Sequence, residues 1–448
     1  MKHRLSTQNA PAPNETLRLA HSQEGSYLRL FWPGLILACV LTVAVTILVA
    51  LERERRARAQ LAARMAKMSA EGGAVDDASL EALYHARTST EMNARWEKVF
   101  ELAKTLEAAA IISGDDQAVL PQLDELRNEV SMAVKCDRPH RFIADFEAHN
   151  TLLPYLSRLR SINALLTRHA QASINVGETQ MAIEDAALIL GCVDAISADP
   201  YAIPWMVSFR MQGSAQDIYR SCIERDLLTK EQLLTLLETC RERGPVGDRW
   251  KLAMSGERAS LLALLTDSKY EDSLEVYDPT FHRFGIRGKA ANNIFELFEK
   301  LEAIPTADLQ SMSQDLAAIH IEWMNLSNGF LTRFDNRMAP EIVDDYERIG
   351  THFIRNELKY RMTGIAIGVR LYEKEFGELP RTHEQLERIG FRAAELRSLS
   401  NAPFSFEASP SKVRFFDEDR SWQKSVNPSA TDPYAEWEWT LEASSQRD

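Results

Sequence analysis

The sequence predicts a mainly α-helical protein with one N-terminal transmembrane helix, an irregular body of helical hairpins and a small α+β module at its C-terminus. Three observations carry that expectation. Residues Leu30 to Leu51 form an uncharged apolar run of 22 residues. From Asp76 to about Tyr360, apolar residues recur at spacings of three and four, the period of a helix with one buried face. Between Pro403 and Leu441, eight aromatic residues crowd into short, partly alternating runs, the period of strands.

In chain order, residues 1–29 are polar, contain Pro11 and Pro13 and show no periodic pattern, so a disordered tail is expected. Tyr27, Phe31 and Trp32 gather where the apolar helix would meet lipid headgroups, and Pro33 sits in its first turn, where a missing N–H costs little. At about 1.5 Å per residue, Leu30 to Leu51 reaches roughly 33 Å, enough for a hydrocarbon core of about 30 Å. A cleaved signal peptide fits less well, because the run exceeds a usual h-region and Leu48-Val49-Ala50 leads into Leu51 and Glu52 without a small-residue site. The next segment, 52–75, is rich in arginine and strong helix formers, so the helix is expected to continue to Gly72-Gly73. A positive-inside count over Arg53, Arg55, Arg56, Arg58, Arg64 and Lys67 places the body in the cytoplasm. The four basic residues of the N-terminal tail oppose that, since long C-terminal domains cross largely regardless of charge. The expected arrangement is a single pass through the plasma membrane with the body outside the cytoplasm, a cytoplasmic body being the alternative.

Residues 76–360 read as one helical domain. Asp76 or Asp77 can cap its first helix, and Trp96, Val99, Phe100, Ala103 and Leu106 mark a buried face. Leu120, Leu123, Leu126, Val130 and Val134 mark another. After the break at Pro139, helix is expected to resume through Phe142, Phe146 and the segment after Thr151. Leu152–Val176 and Thr179–Ala198 form an antiparallel pair joined around Gly177, with Ala170, Ala172, Ala182, Ala186 and Ala187 permitting close approach. Further helices are expected at Pro204–Glu224, after a Thr229/Gln232 capping box up to Gly244-Pro245, and at Asn292–Leu301, Ala307–Leu326 and Pro340–Phe376, with a loop over Asp278–Lys289. Residues 361–448 form the terminal module: a helix closing at Gly377, a Leu379-Pro380 link, a short helix capped by Thr382 and Gln385, then strands at Pro403–Glu407, Lys412–Phe416 and Glu436–Leu441.

The Leu152–Ala198 pair resembles a tetratricopeptide hairpin, although no repeat at a period of 34 residues follows it. The run Ile365 to Phe391, IAIGVRLYEKEFGELPRTHEQLERIGF, is similar to the start of the globular part of type II secretion pseudopilins. Those proteins carry their membrane helix directly before this motif, behind a cleavable leader, which Tyr27 to Trp32 does not provide; polymerisation through the membrane helix is therefore not implied. Over most of its length the chain resembles uncharacterised bacterial single-pass membrane proteins. The shared marks are the arginine-rich continuation, a Gly-x-x-(small)-Asp step at Gly72 to Asp77, Asn93 before Trp96, Gly-Glu-Arg-Ala at Gly256 to Ala259, and the terminal Tyr-Gly-Leu-Pro module. The resemblance implies a tethered helical protein and no particular activity.

Net charge is −13, with −15 in the part after the apolar run, and no Lys/Arg cluster of the kind phosphate backbones require lies beyond the membrane flank. Nucleic acid is therefore excluded as an expected partner. Of the five cysteines, Cys39 lies in the apolar run, and Cys136, Cys192, Cys222 and Cys240 lack C-x-x-C spacing. They read as small core residues, with two disulfides permitted outside the cytoplasm. No H-E-x-x-H, phosphate-binding loop, dinucleotide fingerprint or nucleophile elbow occurs. Cys136 and His140 stand at ligand-like spacing without a second pair; His383-Glu384 fits a helix N-terminus; Asp115-Asp116 and Asp344-Asp345 fit caps and polar faces; His320 fits a packed histidine. No catalytic, cofactor or metal residue is therefore assigned. Two functions remain: a membrane-anchored scaffold with a protein partner, held to the lipid bilayer through Leu30 to Leu51, or a tethered enzyme whose site combines distant residues such as His282, His320 and nearby carboxylates.

Overall fold

The computed structural model describes residues 13–113, 120–147, 151, 153–243, 247–270, 287–306, 308–327, 339–398, 402–416 and 438–444. Residues 1–60 and 61–448 form two compact units. Thirteen helices and one three-stranded antiparallel sheet occur among the described residues, as the sequence predicted in outline.

Helix α1 spans Pro13–Ala70, with the stretch from Leu35 long and apolar enough to cross a membrane. It begins earlier than expected. Residues 13–29, read from the sequence as a disordered tail, are helical, because extending a helix that the apolar run has already nucleated fixes few dihedrals per added hydrogen bond. Leu37, Val40, Leu41, Leu48 and Leu51 are all exposed, as an apolar stretch that crosses lipid would be. The hydroxyls of Thr42 and Thr46 donate to the carbonyls of Ala38 and Thr42 at 2.8 and 2.7 Å, which satisfies them without water. The helix stops where Gly72 adopts φ +79° and the amides of Gly72 and Gly73 close onto Ser69 and Met68.

The second unit is built of helix pairs. α2 (Asp77–Arg87) is capped by Asp76, and α3 (Asn93–Ser113) packs on α4 (Leu120–Ala133). α5 (Tyr155–Asn175) and α6 (Thr179–Ala195) form the expected hairpin, turned at Gly177 with φ +84°. Ala170, Ala182 and Ala186 are buried between helices, whereas Ala172 is half-buried and Ala187 points to solvent. Phe142 and Phe146 correct the sequence reading: residues 141–147 are not helical. The segment is fixed instead by Tyr84, whose hydroxyl accepts from the amides of Phe142 and Ile143, and by the ring of Phe142 stacked on Tyr155 at 4.8 Å.

α7 (Ala202–Glu224) leads to α8 (Lys230–Glu242), opened by the Thr229/Gln232 capping box, and then to α9 (Gly247–Thr266). Gly256 is required in α9, because a Cβ there would fall 1.7 Å from the carbonyl oxygen of Pro200. Its neighbours are equally committed. Glu257 accepts from the Ala202 amide at 2.7 Å, and fully buried Arg258 pairs with Glu302 and donates to the Ala74 carbonyl. The Gly256–Ala259 and Gly72–Asp77 motifs therefore meet each other. α10 (Arg287–Ala303) packs on α9 and begins inside the expected loop; residues 278–286 of that loop lie outside the described residues. α11 (Leu309–Ser327) packs on α12 (Ala339–Phe376), and α12 also runs against α7 and α8.

α12 passes unbroken through residue 360, where the sequence suggested a domain boundary. Gly377 ends it, and the short α13 (His383–Glu387) follows its Thr382/Gln385 box. β1 (Ser405–Ser409), β2 (Lys412–Phe416) and β3 (Glu438–Glu442) pair in that order, with Val413, Phe415, Trp439 and Leu441 turned inward. Arg370 of α12 fastens this sheet: its guanidinium donates to the carbonyls of Ile223, Glu224 and Glu442 and pairs with Glu373 at 2.6 Å. Trp422, Tyr434 and Trp437, counted among the clustered aromatics, lie outside the described residues.

Candidate functional site

Where α7 and α12 cross, their apolar faces meet through Trp205, Phe209 and Phe353, whose ring centroids lie 5.8 to 6.4 Å apart. Beside that contact the two helices leave a cavity of about 290 Å³. Its walls are two facing stripes at helical spacing: Met206, Phe209, Arg210, Gly213 and Asp217 from α7, and His352, Arg355, Asn356 and Lys359 from α12. Asn356 donates to Gln212 at the seam. A second cavity of about 100 Å³ shares Asp217 and Lys359 and continues to Gln216, Arg220 and Trp439 of the terminal sheet. Arg220 lies 4.8 Å over the Trp439 ring and pairs with Glu224.

The cleft is cationic in an acidic chain. Arg210, Arg355 and Lys359 face one carboxylate, Asp217, among the described lining residues. Burial holds Arg355 below its ordinary range; Asp217 works against that shift and Arg210 adds to it. Lys359 is lowered in the same way, by burial and then by the repulsion of Arg355, Arg220 and Arg210 after the opposing pull of Asp217. His352 is lowered by burial and by Arg355, which favours the neutral ring. Ser214 is engaged: its hydroxyl accepts from Asn163 at 3.0 Å and donates to the Arg210 carbonyl. The described walls combine basic side chains with the carboxylate of Asp217 and the polar groups of Ser214 and Asn356.

The residues singled out in the sequence are placed differently. His320 is half-buried on α11, and its Nδ1 lies 2.7 Å from Glu347 and 3.4 Å from Asp344 of α12. These three are the group among the described residues whose ligand atoms lie within 4.8 Å of one another. They do not line either cavity above, and His282 lies outside the described residues. Cys136 and His140 line one small cavity together, but His140 is packed against Phe142 at 4.3 Å and Trp96 at 5.9 Å, and burial pushes it down to about 4. Cys192, Cys222 and Cys240 are buried free thiols. Burial pushes Cys192 up to about 12, with Asp194 adding to it. His383 sits on a helix start beside Phe406, and Asp115-Asp116 lie outside the described residues.

Sequence reading missed the cleft because its residues are ordinary exposed-face types until two helices distant in the chain are brought together. The one available signal was the stripe His352, Arg355, Lys359, which gives a long helix a basic face in an acidic protein. It also missed a buried ion network in which Asp185 accepts from Arg127 at 2.6 Å and meets His169 at 2.5 Å. Compared with known proteins, the chain matches no family model, no curated protein and no solved structure.

Proposed function

We propose that this protein is a membrane-anchored, tetratricopeptide-like scaffold of the bacterial plasma membrane, which holds a helical binding body at the lipid surface and performs no chemistry of its own. The observation that carries this reading is the apolar row of α1, exposed from Leu35 to Leu51 and joined through one continuous helix to a body whose own apolar residues are largely internal. Such a row is stable in lipid and costly in water, at about 25 cal/mol per Å² of apolar surface. Paired helices with a long seam between α7 and α12 suit recognition of a partner, as helical hairpin bodies do elsewhere. The four basic residues of the N-terminal tail favour a body outside the cytoplasm, with a protein partner met there.

Membrane fractionation with and without residues 30–51 tests the anchor. The intact chain should resist alkaline carbonate extraction, and the shortened chain should be released as a folded soluble protein; release of the intact chain would refute the tether. Reporter fusions at the C-terminus place the body, and an active periplasmic-type reporter is the expected result. For the scaffold role, a photo-crosslinking residue at Met206, exposed at the mouth of the cleft, should yield one discrete protein adduct in intact membranes. Absence of any adduct would count against it.

A further inference from the structure

Helices α11 and α12 run antiparallel along a tight seam. Gly350 of α12 makes the approach possible, since a Cβ there would fall 2.3 Å from Cδ1 of Leu316 on α11. About one turn along each helix, His320 comes opposite Asp344 and Glu347. The two acids are three residues apart, a spacing that sets both carboxylates on one face of α12. We propose that these three side chains hold a divalent transition-metal ion of the zinc class, which clips α11 to α12.

The geometry carries the proposal. His320 Nδ1 lies 2.7 Å from a Glu347 oxygen and 3.4 Å from an Asp344 oxygen, and the three ligand atoms all fall within 4.8 Å of one another. Ligands held about 2.0–2.2 Å from a tetrahedral ion stand about 3.3–3.6 Å apart, so a small adjustment of these side chains admits one. Nδ1 is shut off from solvent, yet neither of its contacts with the carboxylates is aligned as a hydrogen bond. An ion pair alone would point an N–H at a carboxylate oxygen, whereas lone-pair donors sharing an ion crowd together without that alignment. Among the described residues, neither carboxylate pairs with a lysine or arginine. Two carboxylates balance a divalent ion, and an imidazole nitrogen selects zinc-class metals over magnesium and calcium, which take oxygen. Facing helices with inward acids and histidines are a common frame for such sites. All three residues are half-buried, so an ion reaches them without the helices parting, and three protein ligands leave a fourth position to water. The site stands whether or not the body also holds a protein partner.

Calorimetric titration of the full-length protein, stripped with EDTA and held in phosphatidylcholine nanodiscs, tests this with zinc and magnesium chlorides as probes. Zinc should saturate a site at one ion per chain, and magnesium should bind about a hundredfold more weakly or worse. His320→Gln and Glu347→Gln should each weaken zinc binding tenfold or more. Cys136→Ser, a control at the other ligand-like pair, should leave it unchanged. Zinc should also raise the thermal midpoint of the parent and leave that of both site variants where it was. Absence of saturable zinc binding would overturn the proposal and leave a simple ion pair. So would magnesium binding as tight as zinc, parental affinity in both site variants, or a loss in Cys136→Ser instead. Two independent site variants and the metal comparison keep the result decisive even if one variant fails to fold.

Discussion

Helix α12 carries two kinds of cation fifteen residues apart, and they have opposite relations to the fold. Arg370 is fully buried, yet its donors are matched by three carbonyls and Glu373, and Glu373 in turn accepts from the Ser444 amide. Four turns earlier, Arg355 and Lys359 are desolvated beside Arg210 with Asp217 as the opposing charge. A buried charge with fitted acceptors is fixed by the fold, whereas half-buried charges on a cavity wall keep one side open.

Breaking the first arrangement should have the largest effect. Arg370→Met keeps the volume but strands Glu373 and three carbonyls, so chemical denaturation should show a loss of about 3–5 kcal/mol. Hydrogen exchange should show β3 losing protection before the helices do. A loss below about 1 kcal/mol would mean that the sheet is held by its aromatics alone.

Asp199 sharpens the comparison because it lies between the two cases. It is buried, with one oxygen accepting from Tyr155 at 2.6 Å. Burial pushes its carboxyl up to about 7 from an ordinary 3.8, with the hydroxyls of Tyr155 and then Tyr84 opposing the shift. Its stabilising contribution is thus present in full below pH 3.8 and is lost as pH rises through 7. His140 runs the other way. Its folded value of about 4 lies below the unfolded 6.5, so the unfolded chain binds the extra proton between those values and stability rises with pH across that interval. Together the two should leave a shallow profile between pH 4 and 6.5. Asp199→Asn should uncover a rise of about 3 kcal/mol over that window, since each tenfold difference in proton affinity between the folded and unfolded chains is worth about 1.4 kcal/mol. His140→Gln should uncover a fall of similar size. Denaturation midpoints measured against pH in the two variants and the parent check both signs.

Much of this fold was legible from the chain. Caps at Asp76, Thr229 and Thr382 and stops at Gly72, Gly177 and Gly377 are local devices, and each stands where the sequence placed it. Several short sequence motifs turn out to be joints: Gly256 admits Pro200, Arg258 reaches Ala74, and Gly368 leaves room for Phe391, which a Cβ would approach to 2.7 Å. Residues 141–147 were not legible, because an extended segment held by one tyrosine hydroxyl has no period. The cleft was illegible for a related reason. Charge on a helix face means solvent in most contexts, and what makes this face a site is a second helix more than a hundred residues away.

Smaller effects should come from the cleft. Asp217→Asn removes the opposing charge and should lower stability by about 0.5 kcal/mol, as for a partly exposed ion pair. Gly256→Ala, a packing control away from both regions, should cost about 1–3 kcal/mol through the clash with Pro200.

The most direct test is a paired one: denaturation of the full-length protein in detergent at neutral pH, comparing Lys359→Met with Arg370→Met. Lys359→Met, at a half-buried position on the cavity wall, should change stability by less than about 1 kcal/mol, while Arg370→Met loses about 3–5 kcal/mol. A loss in Lys359→Met as large as that in Arg370→Met would contradict the account, because the two cations would then serve the fold in the same way.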